Sequence, residues 1–172
     1  MLLALDLGMR TGWSLWTSGG RLLASGVWRL GKDHGRGRFG ELLLRLRARV
    51  GAHGVKVVAY EHVHHHTGND AAHVYGGWLA VLDMLAHLTG VELVPITTPE
   101  IHAIAGVKRA TSPRVEGQAD AERRAARATR RKENKTAIVA AAHARGWLVA
   151  DDNEAEACFC GAAALAKRTG SV

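Results

Sequence analysis

The chain alternates between short, almost wholly apolar runs and longer stretches where apolar residues return every three or four positions. The first run, Met1 to Leu5, stops at Asp6 and predicts a buried strand over Leu2–Leu7. Gly8 to Gly12 makes a turn into Trp13–Trp16, and Gly19-Gly20 makes a second turn into Arg21–Trp28. Three short strands joined by glycine-bearing turns predict an antiparallel meander. After a polar, glycine-rich stretch from Gly31 to Gly37, Phe39, Leu42, Leu43, Leu46 and Val50 fall on one side of a helix. Val55–Tyr60 predicts a fourth strand, ending at Glu61.

Beyond it, Val74, Trp78, Val81, Leu82, Leu85 and Leu88 form the apolar stripe of a helix over Ala71–Leu88. Val91–Ile96 predicts a fifth strand. Thr98-Pro99-Glu100 has the composition of an N-cap with proline in the first turn, opening a brief helix over Ile101–Ala105. A basic segment with few apolar residues follows and predicts a loop, or a helix that orders only on binding. Asn134–Arg145 resumes a helix closed by Gly146, and Asp151-Asp152-Asn153 caps a last helix reaching Ala166. A meander followed by alternating helices and strands predicts an α/β fold, a mixed sheet with helices on its faces.

Composition adds limits. At 172 residues, 47% hydrophobic and 23% charged, the chain has the makings of one packed core rather than a disordered segment. No apolar stretch approaches the roughly 20 residues that span a bilayer, and no secretory leader precedes the first strand. A cytoplasmic protein with no membrane partner is the expectation. Cys158 and Cys160 are too close in sequence for an unstrained disulfide, and they have no second pair to complete a zinc site. They read as small core residues, as do Trp13, Trp16, Trp28, Trp78 and Trp147.

The net charge of +7 is concentrated. Lys108, Arg109, Arg114, Arg123, Arg124, Arg127, Arg130, Arg131 and Lys132 face only Glu116, Asp120 and Glu122 within the segment, which gives that stretch +6. Alone it is a solvated face. Beside a carboxylate cluster it suits a polyanion such as DNA.

That cluster is the candidate chemistry. An acid ending an apolar strand is unfavourable unless its charge is compensated, and Asp6 and Glu61 both do so. Asp152 and Glu156 are four apart at the start of the last helix and share a face; Asn153, three before Glu156, is an alternative there. Asp151 and Asp152 also suit helix capping, whereas Glu154 is rotated away. Carboxylates converging on one point suit hard divalent ions, magnesium with manganese as a substitute, and two such ions support phosphodiester hydrolysis. Lys135 is placed to contact a phosphate, against the alternative of an ordinary surface lysine, and Arg10 likewise. The run His62 to His66 raises a zinc reading, disfavoured because no second spaced His/Cys pair is present.

In order along the chain, these residues resemble the RuvC-type Holliday junction resolvases, in particular their divergent phage-type members. Ala4 to Trp13 resembles the family's I-D-P-G-x-x-x-T-G-Y/W, with Leu7 in place of proline. Tyr60-Glu61-His62-Val63 resembles V-E-x-V, and Gly68 to Ala72 resembles the segment that opens the long helix. Lys135 to Val139 resembles Lys-x-x-Val, and Asp151 to Ala157 resembles D-D-N-E-A-D-A with Glu156 in place of the final aspartate. The resemblance implies a ribonuclease H-like fold with a five-stranded mixed sheet, in one nuclease domain over 1–172 with an enlarged basic segment at 107–133. It also implies a magnesium-dependent endonuclease and a homodimer acting on branched DNA. His64 stands where the family carries a base-stacking aromatic, and the stripe around Trp78 is a candidate dimer surface, against the alternative that it packs on the sheet; a wide apolar arc can serve both. Two other readings compete: a branched-DNA-binding protein whose metal site has decayed, and a fragment of an actin-like ATPase or sugar kinase.

Overall fold

The structure is a computed structural model that describes residues 1–31, 37–63, 68–108 and 120–170. Its elements run β1 (Leu2–Asp6), β2 (Arg10–Trp16), β3 (Leu22–Arg29), α1 (Arg38–His53), β4 (Val57–His62) and α2 (Asn69–Thr89). The chain continues through β5 (Glu92–Thr97), α3 (Thr98–Ala105), α4 (Asp120–Ala144) and α5 (Asp152–Thr169). The five strands form one sheet in the order β3-β2-β1-β4-β5. The β1/β2 and β2/β3 pairs are antiparallel, as the glycine turns predict, and β1/β4 and β4/β5 are parallel. This mixed five-stranded sheet flanked by helices is a ribonuclease H-like α/β fold.

Alternation along each strand decides which layer a side chain enters. Leu3 and Leu5 of β1 pack with α1 and α2, through Leu42, Leu46, Trp78, Val81 and Leu85. Leu2 and Ala4 point the other way, into a second core with Ile101 of α3, Ile138 of α4 and Phe159 of α5. Asp6 continues the even series of β1. Glu61 continues the series Val57, Ala59 of β4, which faces the same second core. Both acids are therefore directed to the α3–α4–α5 side. Because β1, β4 and β5 are parallel, their C-terminal ends emerge at one edge of the sheet.

Helix α5 lies across that face in close contact with the strands, and small residues allow it. A Cβ on Gly12 would fall 1.9 Å from the carbonyl oxygen of Asn153, and one on Gly161 would fall 2.2 Å from the Trp16 ring nitrogen. Cys158 and Cys160 are free, buried thiols in this layer. Burial pushes the Cys158 thiol up to about 12 and also raises Cys160 well above the usual thiol value, so both stay protonated.

Three expectations are corrected. Helix α3 begins at Thr98 rather than Ile101, and its cap lies one residue earlier than the composition predicts. Thr97, not Thr98, is the N-cap, closing a capping box with Glu100 in which the Thr97 N–H donates to Oε2 at 2.7 Å. Helix α4 does not wait for Asn134 but runs unbroken from Asp120. The alanines and arginines of its first half are strong helix formers, and they extend a helix whose second half is anchored in the core by Ile138 and Ala142. Trp78 is only 1% exposed. Trp78, Val81, Leu82 and Leu85 of the α2 stripe pack into their own chain, with the Trp78 ring T-shaped against Phe39, while Leu88 is 59% exposed, so Trp78 itself has no side-chain area to offer a dimer surface.

Candidate metal centre

At the shared edge of β1 and β4, Asp6, Glu61 and Glu156 come together. One carboxylate oxygen from each lies within 4.8 Å of the others. Strand register supplies the first two: Leu5 pairs with Tyr60, and the next residue on each strand is an acid. Glu156 comes from the second turn of α5, brought close because Gly12 lets the start of that helix rest on β2. Asp6 and Glu61 are each only 9% exposed.

The electrostatics of the three are those of a site short of positive charge. Burial, then the charges of Glu156 and Glu61, hold the Asp6 carboxyl well above the usual carboxylate range. Burial, with Glu61 and Asp152, pushes Glu156 up to about 7, although Lys135 and Arg131 pull the other way. A divalent cation would relieve this repulsion. The donors are all carboxylate oxygens, which suits magnesium or manganese rather than a thiol-seeking metal.

Glu61 is held at both ends. The Tyr75 hydroxyl donates to its backbone carbonyl at 2.7 Å and accepts from the Val63 N–H at 3.1 Å. The Thr98 hydroxyl donates to Glu61 Oε1 at 2.5 Å. Thr98 is free to do this because the cap falls to Thr97. Sequence reasoning missed Thr98 by assigning it the cap, and missed Tyr75 because one aromatic at a helical position carries no signal of its hydroxyl's partner.

The other predicted site residues divide around this centre. Asp152 lies in the same cleft, ion-paired with Lys135, and does not belong to the triad of converging oxygens. Asn153 lines the cleft too. Asp151 is the α5 N-cap, accepting from the Glu154 N–H at 3.0 Å. Burial alone would raise its pKa, but that N–H and the paired Arg10 guanidinium outweigh burial and lower it. Arg10, expected at a phosphate, is ion-paired with Asp151. Glu154 is turned away, as its phase predicts, and accepts from the Ser25 hydroxyl at 2.6 Å and the Ala150 N–H at 2.8 Å.

The cleft over the acids has a volume of about 670 Å³. Its opposite wall is the inner face of α4, where Arg127, Arg130, Arg131, Asn134 and Lys135 repeat at helical spacing. Among the described residues none of those three arginines forms an ion pair within the chain, and Arg130 has a buried guanidinium nitrogen with no hydrogen-bond partner. Buried His102 also lines this cleft, a residue the sequence did not single out. Arg123, Arg124 and Lys132 lie on α4 and Lys108 just beyond α3, but they do not line the cleft. His64, Arg109 and Arg114 are outside the described residues. Also among the described residues, no helix is long and apolar enough to cross a membrane.

No family profile and no curated protein matches the sequence. Solved structures do match. RuvC from T. thermophilus in complex with a Holliday junction substrate superposes with a TM-score of 0.67 at 14% identity, covering 99% of this chain and 96% of that one. A further Thermus thermophilus RuvC structure gives 0.68 at 18% identity over 98% of this chain and 96% of its own. A ROK hexokinase from the same organism gives 0.39 at 18% identity over 60% of this chain and 36% of its own. At these identities the similarity to RuvC is a similarity of fold.

Proposed function

We propose that the protein is a metal-dependent, structure-specific endodeoxyribonuclease that resolves four-way or other branched DNA junctions. The observation that carries this reading is a single cleft with Asp6, Glu61 and Glu156 on one wall and Arg127, Arg130 and Arg131 on the other. A phosphodiester backbone is the ligand that needs both walls: cations for its charge and a carboxylate-held metal for its cleavage. Asp6, Glu61 and Glu156 would hold magnesium or manganese, which would supply a Lewis acid for the scissile phosphate and an activated water. A second ion would need a further carboxylate, which Asp152 would supply on release from Lys135. Thr98 and Tyr75 keep Glu61 in register. The α4 arginines lay the DNA strand across the acids, and Lys135 offsets the charge that grows on the phosphate. Symmetric cutting of a four-way junction needs two such sites, so the acting species is a homodimer.

Labelled four-way, three-way and linear duplex DNA, incubated with magnesium, manganese or EDTA, tests this. The expected result is paired cuts in branched DNA only, dependent on metal and abolished by Asp6→Asn while junction binding persists. Cleavage by Asp6→Asn at the wild-type rate would remove the active-site assignment. Junction binding with no cleavage in either metal would leave a branched-DNA-binding protein in its place.

A further inference from the structure

Strand β3 is an edge of the sheet, and among the described residues no strand pairs with its outer side. The Leu30 N–H donates to the Met9 carbonyl at 2.9 Å, and the next residues along, Arg29 and Arg10, lie opposite each other. Bonded pairs alternate along an antiparallel ladder. Trp28, Gly26 and Ala24 therefore turn their N–H and C=O groups to β2, and Ser25, Val27 and Arg29 turn theirs outward. From Leu22 to Trp28 the strand has no proline and no charge, the devices that keep an exposed edge from pairing.

At the start of β3 this edge borders a groove of about 530 Å³, lined by Trp16, Leu22, Leu23, Trp147 and Leu148 together with Arg21. Leu148 is 94% exposed, and Leu23 is exposed as well. Apolar side chains left in water beside an apolar groove leave burial to be gained by an occupant.

Charge selects that occupant. Arg21 and Arg29 are exposed and stand at the two ends of β3, and among the described residues neither forms an ion pair. Asp151 is taken by Arg10, and Glu154 by Ser25 and the Ala150 N–H. A second copy pairing antiparallel along β3 would set Arg21 against Arg29 at both ends, between chains that each carry +7. A nucleic acid would satisfy the arginines but has no alternating backbone N–H and C=O groups for the edge.

We propose that β3 and its groove dock an extended acidic segment of a partner protein. The segment adds to the sheet as a further strand, buries an apolar side chain against Trp147 and Leu148, and sets its acids against Arg21 and Arg29. The nuclease reading is not needed for this. Leu2 and Leu22 are both opposite Trp16, whereas Asp6 and Val27 are both opposite Gly12. The groove thus lies at the end of the sheet away from Asp6, and a partner held there leaves the metal cleft open to its own substrate.

The test pans the full chain against random phage-displayed peptides about twelve residues long, enough to span β3. Enriched peptides are then titrated by fluorescence anisotropy against wild type, Leu148→Ser and Arg21→Glu. Both substitutions are at exposed positions, and circular dichroism checks that each variant is folded. The enriched peptides should carry acids at both ends of an alternating apolar core and bind wild type about tenfold more tightly than either variant. Bound peptide should also slow amide exchange at Ser25, Val27 and Arg29, followed by NMR. The proposal is overturned by a lack of enrichment, by enrichment of basic peptides, by affinity unchanged in either variant, or by binding that leaves those amides exchanging as before. Self-association of wild type that Leu148→Ser abolishes would overturn it too, and would give the edge to a second copy.

Discussion

Replacing Glu156 with glutamine should stabilise the metal-free protein, by an amount set by pH. Glu156 titrates near 7 in the fold against an ordinary value of 4.5. For an acid whose folded pKa is raised, ionisation costs stability. That cost is absent below the unfolded value, grows as pH rises through the gap, and is complete above the folded value. A gap of about 2.5 in pKa corresponds to about 3 kcal/mol at pH 8. Glutamine keeps the shape and carries no charge. In EDTA at pH 8 the variant should melt roughly 6–12 °C above wild type for a chain of this size, and at pH 4 the two should coincide. Magnesium or manganese at a hundredfold excess over Kd should narrow the gap at pH 8, because wild type gains about 2.7 kcal/mol and the variant gains less. Melting curves followed by circular dichroism, with and without EDTA at the two pH values, measure all of this. If the variant is no more stable than wild type in EDTA at pH 8, or the gain is equal at pH 4, the three carboxylates do not repel one another as argued.

Three further variants, two single and one double, probe the site and its surroundings. Thr98→Val removes the hydroxyl that donates to Glu61 but leaves the Thr97–Glu100 capping box; manganese affinity should fall about tenfold with little loss of stability, measured by titration calorimetry. Gly12→Ala places a methyl group 1.9 Å from the Asn153 carbonyl, so it should cost about 1–3 kcal/mol in urea unfolding and weaken manganese binding as α5 is pushed off β2. Arg127→Ala with Arg130→Ala should reduce the slope of log K against log salt for junction binding in EDTA by about 1.8, read by fluorescence anisotropy. An unchanged slope would take the cleft face of α4 off the DNA path.

Much of the fold was legible because the strands are short and their apolar positions unambiguous. The run ending at Asp6 and the run ending at Glu61 each mark a strand within two residues of its observed ends, and the glycine turns mark β2 and β3, although β2 begins at Arg10, inside the predicted turn. Where apolar pattern was thin, the sequence was harder to read. The first half of α4 has almost no residue to bury, so pattern alone left a loop or a helix that orders only on binding, while alanine and arginine propensity made a helix. The stripe around Trp78 shows the opposite difficulty. A wide apolar arc signals burial but not whether the covering surface is the chain itself or a second copy, and here Phe39 and α1 cover it.

The candidate site divides along the same line. Asp6 and Glu61 could be found one strand at a time, since a carboxylate at the end of an apolar run lacks compensation within its own segment. Glu156 was read as a ligand, but deciding whether Asp152 or Asn153 joins it needed the rotation of α5 about its axis, and that rotation is fixed by distant contacts. Gly12 receives the backbone of Asn153, Ser25 draws Glu154 toward β3, and Lys135 takes Asp152. With those three neighbours of Glu156 committed elsewhere, Glu156 is the residue of the turn left to face Asp6. The Lys135–Asp152 pair therefore bears on the chemistry. While it holds, the cleft has three converging carboxylates; if a phosphate draws Lys135 away, Asp152 becomes a fourth. A second metal ion should accordingly bind more tightly with DNA present than without it, and Lys135→Ala should remove that dependence.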